Sequence, residues 1–307
     1  MAERRWWWRA LQAALAVLVI GLAVRKLVAN WTELRAQSIH WNLRIGWLVA
    51  AVLIVWSAYA LLVAAWRGVV VSMHQRLGFW EAARICMVSN LGKYIPGKVW
   101  AIAGNAMLAQ QAGVDASAAV AGALVLQALA LASGVALVAV LGPAALRSAG
   151  TWYIGAAVIL GLASVAGVAL LTSQRALTAL RRWWPPKLPM ITPIPGRIMA
   201  VAFAANVLAW GGYGLAFLCL MRGLIADVSL SWARATTVFT ISYLVGLIAV
   251  FAPAGVGPRE SVFYLLLAGS LGPKLALALA LATRVLLTVT ELGSAVPFLV
   301  RRKDNRR

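Results

Sequence analysis

The chain has 307 residues, 63% hydrophobic and only 12% charged, with 28 Lys+Arg against 8 Asp+Glu and a formal net charge of +20. Soluble domains are about a quarter charged and about half apolar, so the composition excludes an ordinary soluble domain and a soluble nucleic-acid binder. It also excludes a disordered chain, which needs low hydrophobicity.

The cations sit in short stretches between long apolar runs, the pattern of a polytopic membrane protein with basic loops. No polar segment is long enough to bury its own core. Residues 1–298 therefore read as one integral membrane domain and 299–307 as a basic cytoplasmic tail. The expected fold is an all-α membrane helical bundle. Cys86 and Cys219 stand in apolar surroundings and read as small buried hydrophobes. His40 and His74 both fall in loops, so neither a metal site nor a nucleophilic triad is expected, and no cofactor is called for.

The chain opens on Arg4-Arg5-Trp6-Trp7-Trp8-Arg9 before an apolar stretch. That order resembles a signal peptide, but the run is long and no small-residue cleavage site follows. It is read as an uncleaved first span. A transmembrane helix needs about 20 mostly apolar residues, and six stretches qualify: 9–28, 45–65, 116–142, 151–171, 198–221 and 274–298.

Two further apolar stretches are interrupted. Residues 80–111 contain Asn90-Leu-Gly-Lys93-Tyr94-Ile-Pro96-Gly97-Lys98, and residues 236–271 contain Ala252-Pro253-Ala-Gly255-Val-Gly257-Pro258-Arg259-Glu260. Proline removes a backbone donor and glycine weakens a helix. Broken backbone is tolerated at membrane depth where protein or a cavity surrounds it. Each stretch is expected to form a re-entrant hairpin, the alternative being a kinked but complete span.

With both hairpins returning to their own side and the N-terminus inside, inner loops outnumber outer loops in Lys+Arg by roughly two to one. The layout repeats, with halves at about 9–142 and 151–298. Three spans per half make the second half inverted, an architecture familiar from secondary transporters. Both termini are then cytoplasmic, with the protein in the inner (plasma) membrane. Trp6, Trp7, Trp8, Trp31, Trp41, Trp66, Trp80, Trp183, Trp184 and Trp232 fall near predicted span ends and read as interfacial anchors.

Ionisable groups inside a bilayer are costly, so each is a candidate site residue. They are Lys93, Lys98, Arg259, Glu260, Arg284 and Glu291. Proline at a helix start is favourable, and a helix N-terminus presents free N–H groups and a positive dipole end. Arg259 at such a start makes an anion site, for phosphate or carboxylate. Arg284, Thr288 and Glu291 share one helix face. The structural alternative is an internal ion pair, Arg259 with Glu291 or Glu260 with Arg284. Thr236, Thr237, Thr240, Ser242 and Tyr243 read as helix–helix glue. With no histidine near the embedded acids and no G-x-x-x-x-G-K-[ST] loop, the chain is not expected to be an enzyme.

Ser89-Asn-Leu-Gly-Lys-Tyr-Ile-Pro-Gly-Lys-Val-Trp100, Ala252-Pro-Ala-Gly-Val-Gly-Pro-Arg-Glu260 and Thr283-Arg284 through Glu291 resemble signatures of the flippase-like family related to the membrane domain of lysylphosphatidylglycerol synthases. The resemblance implies translocation of an anionic or aminoacylated phospholipid, or another lipid-linked headgroup, between leaflets. It also implies a glycosyltransferase or lipid-modifying enzyme as companion. Headgroup contacts are expected from Lys93, Tyr94, Lys98, Arg259 and Arg284, gating ion pairs from Glu260 and Glu291, and hairpin breaks at Pro96, Gly97, Pro253, Gly255 and Gly257. Two positions depart from the family pattern: Asn105 stands where a basic residue is expected and Gln127 where an acid is expected. The soluble aminoacyl-transferase domain does not follow Phe298, so synthase activity is not expected. The rival readings are a non-catalytic membrane partner of such an enzyme and a small-anion transporter.

Overall fold

A computed structural model describes residues 42–95, 99–145, 194–225, 230–249 and 252–300, with Ile159 and Ala166. The expected span at 9–28, that at 151–171 apart from Ile159 and Ala166, the tail beyond Val300, and Pro96, Gly97 and Lys98 lie outside the described residues. Those described form helices and turns, with no strand among them.

In chain order the helices are α1 (Ile45–Ser72), α2 (Phe79–Asn90), α3 (Val99–Gln111), α4 (Ala116–Ala145), α5 (Gly196–Leu224), α6 (Trp232–Ile248), α7 (Pro258–Leu271) and α8 (Pro273–Val300). Of these, α1, α4, α5 and α8 are long and apolar enough to cross a membrane. Their apolar residues run all round the helix, so one side can face lipid while the other packs. On α1, Val49, Leu53 and Trp56 are exposed while Ala51, Val55 and Ala58 are buried.

Each interrupted stretch becomes two short helices packed on each other, α2 with α3 and α6 with α7. A short 3-10 turn, Leu91–Tyr94, follows α2, and another, Pro253–Gly255, precedes α7. These two turns lie against each other. The first is tight because Gly92 lies on the backbone of the opposite arm: a Cβ there would stand 2.7 Å from Ala101 N. The second needs left-handed backbone, with φ of 48° at Ala254, 73° at Gly255 and 95° at Gly257. Glycine adopts such angles without a steric cost. Gly255 also lies directly on Gly246 of α6, where a Cβ would come within 2.9 Å of the Gly246 Cα.

Lipid tails are as apolar as leucine, so helices in a membrane associate through close packing and small residues. The seams follow that rule. Gly122 of α4 receives Trp66 and Val70 of α1, Gly134 of α4 receives Thr240 and Leu244 of α6, and Gly214 of α5 receives Thr236. The most extensive contact is between α1 and α5. It is stapled at one end by backbone hydrogen bonds from Asn42 to Leu224 and from Arg44 to Gly223.

Several expectations need correction. The second span does not stop at 65 but continues to Ser72, so Arg67 lies inside a helix and donates to the Leu77 carbonyl at 2.7 Å. Trp66, expected at an interface, is buried against Gly122, because the longer helix carries it into the α1–α4 seam. Trp80 and Trp232 do face outward. The hydroxyls of α6 do not tie helices together by hydrogen bonds. Thr237 bonds to its own helix at Ala233, and those of Thr236, Thr240 and Ser242 are buried without a partner. They contribute shape, with Thr236 on Gly214 and the Thr240 methyl on Gly134.

Candidate buried charge cluster

The facing turns and α8 bring five charged side chains into the interior. Arg259, Arg284 and Glu291 are each 5–6% exposed. Lys93 Nζ lies 2.6 Å from Glu291 Oε1, and the Tyr94 hydroxyl donates to Oε2 at 2.6 Å. Consecutive residues of the first turn thus grip both oxygens of one carboxylate on α8. A carboxylate removed from water needs compensation of this kind. Beside it, the Tyr59 hydroxyl lies 3.3 Å from Thr290 Oγ1 and the Trp56 indole donates to the Thr290 carbonyl, tying α1 to α8.

The second turn is built differently. Glu260 sits three residues past Gly257 and accepts from its backbone N–H at 2.7 Å, which caps α7. Its other oxygen stands 3.5 Å from Arg284 Nη1. Arg284 Nη1 gives its short hydrogen bond, 2.8 Å, to the Ala254 carbonyl at the break. Arg259 has its guanidinium over the rings of Tyr243 (4.9 Å), Phe239 (5.1 Å) and Phe263 (5.9 Å). An arginine plane on aromatic faces is held by cation–π attraction, which strengthens when desolvated. Both Arg259 Nη2 and Arg284 Nη2 are buried with no hydrogen-bond partner.

Of the expected site residues, Lys93, Tyr94, Arg259, Arg284, Glu260 and Glu291 converge, with Gly255 and Gly257 at the second break and Pro253 in its turn. Arg284, Thr288 and Glu291 are all buried on α8. Of the two ion pairs considered, Glu260 with Arg284 is present. Arg259 with Glu291 is not among the ion pairs of the described residues, because Glu291 has taken Lys93 and Tyr94 from the first turn. Of the two departures from the family pattern, Asn105 is buried with an unpartnered Oδ1, whereas Gln127 is exposed on α4 and so is no part of this cluster.

Sequence reasoning missed Tyr59, the Phe239/Tyr243/Phe263 platform and the Ala254 carbonyl. Tyr59, a polar tip in mid-span, was a usable signal. The aromatic platform reads in sequence as ordinary core, and the role of a backbone carbonyl depends on a bend that sequence does not specify.

Long apolar helices around a buried ionic cluster define a multi-pass membrane protein. Residues 9–292 match the transmembrane region of lysylphosphatidylglycerol synthases, and the chain belongs to that family, whose role is lipid-related. No curated protein matches the chain.

Proposed function

We propose that the protein is a lipid flippase. It moves an anionic or aminoacylated phospholipid, or another lipid-linked headgroup, between leaflets past a cationic site of Lys93, Lys98, Arg259 and Arg284, with Tyr94 latching the first turn to Glu291. Six spans and two re-entrant hairpins form an inverted repeat in the inner membrane with both termini in the cytoplasm. The protein acts as a transporter rather than an enzyme, beside a glycosyltransferase or lipid-modifying enzyme that makes or uses the lipid.

One observation carries this reading: two buried guanidiniums each keep an Nη2 without an acceptor. A buried, unpaired donor on a cation is expensive. Its natural complement is an oxyanion, which arginine binds in a planar, directional way. Lys93, Arg259 and Arg284 face only Glu260 and Glu291, so the described part of the cluster has one positive charge to spare. The match to a lipid-related membrane family favours a headgroup phosphate as the source of that oxyanion.

The test is translocation of labelled phosphatidylglycerol in reconstituted vesicles. Arg259→Ala and Lys98→Ala are each expected to slow it at least about tenfold, the effect of losing about 1.4 kcal/mol of binding. Wild-type rates in both variants would remove the site.

A further inference from the structure

The two buried carboxylates are held unequally. Glu291 has a short hydrogen bond on each oxygen. Glu260 has one, from the Gly257 amide of its own helix start, and faces Arg284 at a length where little hydrogen-bond character remains. The Glu260 side chain is 15% exposed against 5% for Glu291. Its partner Gly257 and the neighbouring Val256 are both exposed, so Glu260 is the more accessible of the two carboxylates.

The Glu260 carboxylate occupies the position most favourable to an incoming oxyanion. It sits on the N-terminus of a 14-residue helix, where backbone N–H groups and the positive dipole end favour negative charge. Arg284 and Arg259 both reach this end of the helix, and the Nη2 of each is buried and unpartnered. Arg259 is fixed on its three rings and Arg284 is anchored on the Ala254 carbonyl, so neither needs to move to receive a ligand. A carboxylate and one edge of a phosphate offer the same charge and the same acceptor atoms.

We propose that Glu260 is a tethered competitor. Its carboxylate is the resident occupant of an oxyanion site at the start of α7, and the ligand's phosphate displaces it, while Glu291 stays clamped. This deepens the reading of Arg259 and Arg284 as the headgroup site and rests on it. A group tethered beside its site is present at high effective concentration. It therefore weakens every external anion by the same factor and speeds release. Multi-site conduction in channels likewise requires binding weak enough to let go. The ligand chemistry is a phosphate oxyanion, on a lipid headgroup or free.

The experiment uses the full chain in phosphatidylcholine nanodiscs. Binding of fluorescent phosphatidylglycerol is measured, and inorganic phosphate is titrated separately. Glu260→Gln keeps the helix cap, since an amide oxygen still accepts from Gly257, and removes the charge. It should tighten binding about tenfold, as when the competent state was populated one time in ten. Tightening for the lipid alone supports the proposal with a lipid phosphate as ligand; tightening for both supports it with phosphate from either source. Unchanged or weaker binding of both overturns it.

A second measurement needs no variant. Labelling of Glu260 by dicyclohexylcarbodiimide, an apolar carboxyl reagent, should speed up when phosphatidylglycerol is bound. An unchanged or slower rate overturns the proposal as surely. Arg259→Gln and Arg284→Gln separate the two levels of the claim. Wild-type binding in both ends the headgroup site itself. Loss of binding in both, with Glu260→Gln unaltered, ends only the competitor.

Discussion

The two broken segments solve one problem in opposite ways. Both bring polar backbone and charge into an apolar interior. The first turn sends Lys93 and Tyr94 to a single acid, Glu291, and leaves neither of that acid's oxygens empty. The second keeps an acid, Glu260, that already caps its own helix and stands beside Arg259 of that helix and Arg284 of α8, and each arginine keeps an idle nitrogen. The contrast separates architecture from site. Under the proposed function, charges with complete partners hold the fold, and the two arginines with incomplete partners receive the headgroup.

Glu291→Ala breaks the comparison hardest. It leaves the mostly buried Lys93 without its partner carboxylate, and removing one member of a buried pair costs about 3–5 kcal/mol. Thermal unfolding in detergent should show a large loss; a melting point near wild type would mean that the first turn is not clamped. Tyr94→Phe removes one hydrogen bond to a charged group, worth about 1.5–3 kcal/mol. It should lower the melting temperature less than Glu291→Ala, while phosphatidylglycerol binding stays near wild type. Impaired binding at unchanged stability would move Tyr94 from latch to ligand.

Gly255→Ala tests the second turn. It places a Cβ 2.9 Å from the Gly246 Cα at a φ of 73°. The left-handed backbone alone costs about 1–3 kcal/mol, and the clash adds to it. Translocation should fall in step with stability, and a fully active Gly255→Ala would show that this turn tolerates rearrangement.

The smallest effect lies outside both turns. Asp115 opens α4, accepting from the backbone and hydroxyl of Ser117, and these bonds hold its carboxyl below the usual range. A depressed pKa makes its contribution complete above the ordinary carboxylate range and lost as pH falls through the folded value. Asp115→Ala should lower the melting temperature slightly at neutral pH, and the gap should close on acidification. A gap that persists in acid would assign the effect to helix propensity instead.

How much of this was legible in sequence divides along the same line. The helices were visible from apolar run length, and the breaks from Pro253, Gly255 and Gly257, because those residues limit the backbone locally. The embedded charges were visible because lipid makes each one exceptional. Pairing was not. Glu291 is some 200 residues from Lys93 and Tyr94, and both arginines were chemically plausible alternatives. Choice among cations that are all suitable is made by where the turns meet, a tertiary fact. Trp66 failed for a related reason. Apolar helices that differ little from face to face give no periodicity from which to tell which side packs and which side meets lipid.

The aromatic bed under Arg259 has a mechanical consequence. A guanidinium set among the rings of Phe239, Tyr243 and Phe263 has few rotamers left and much contact to lose by leaving. It cannot escort a passenger across the bilayer the way a long, solvated lysine could. In a flippase cycle Arg259 would be a fixed mooring post: the lipid head arrives, ties up and casts off, and the travelling is done by the lipid and the walls around it.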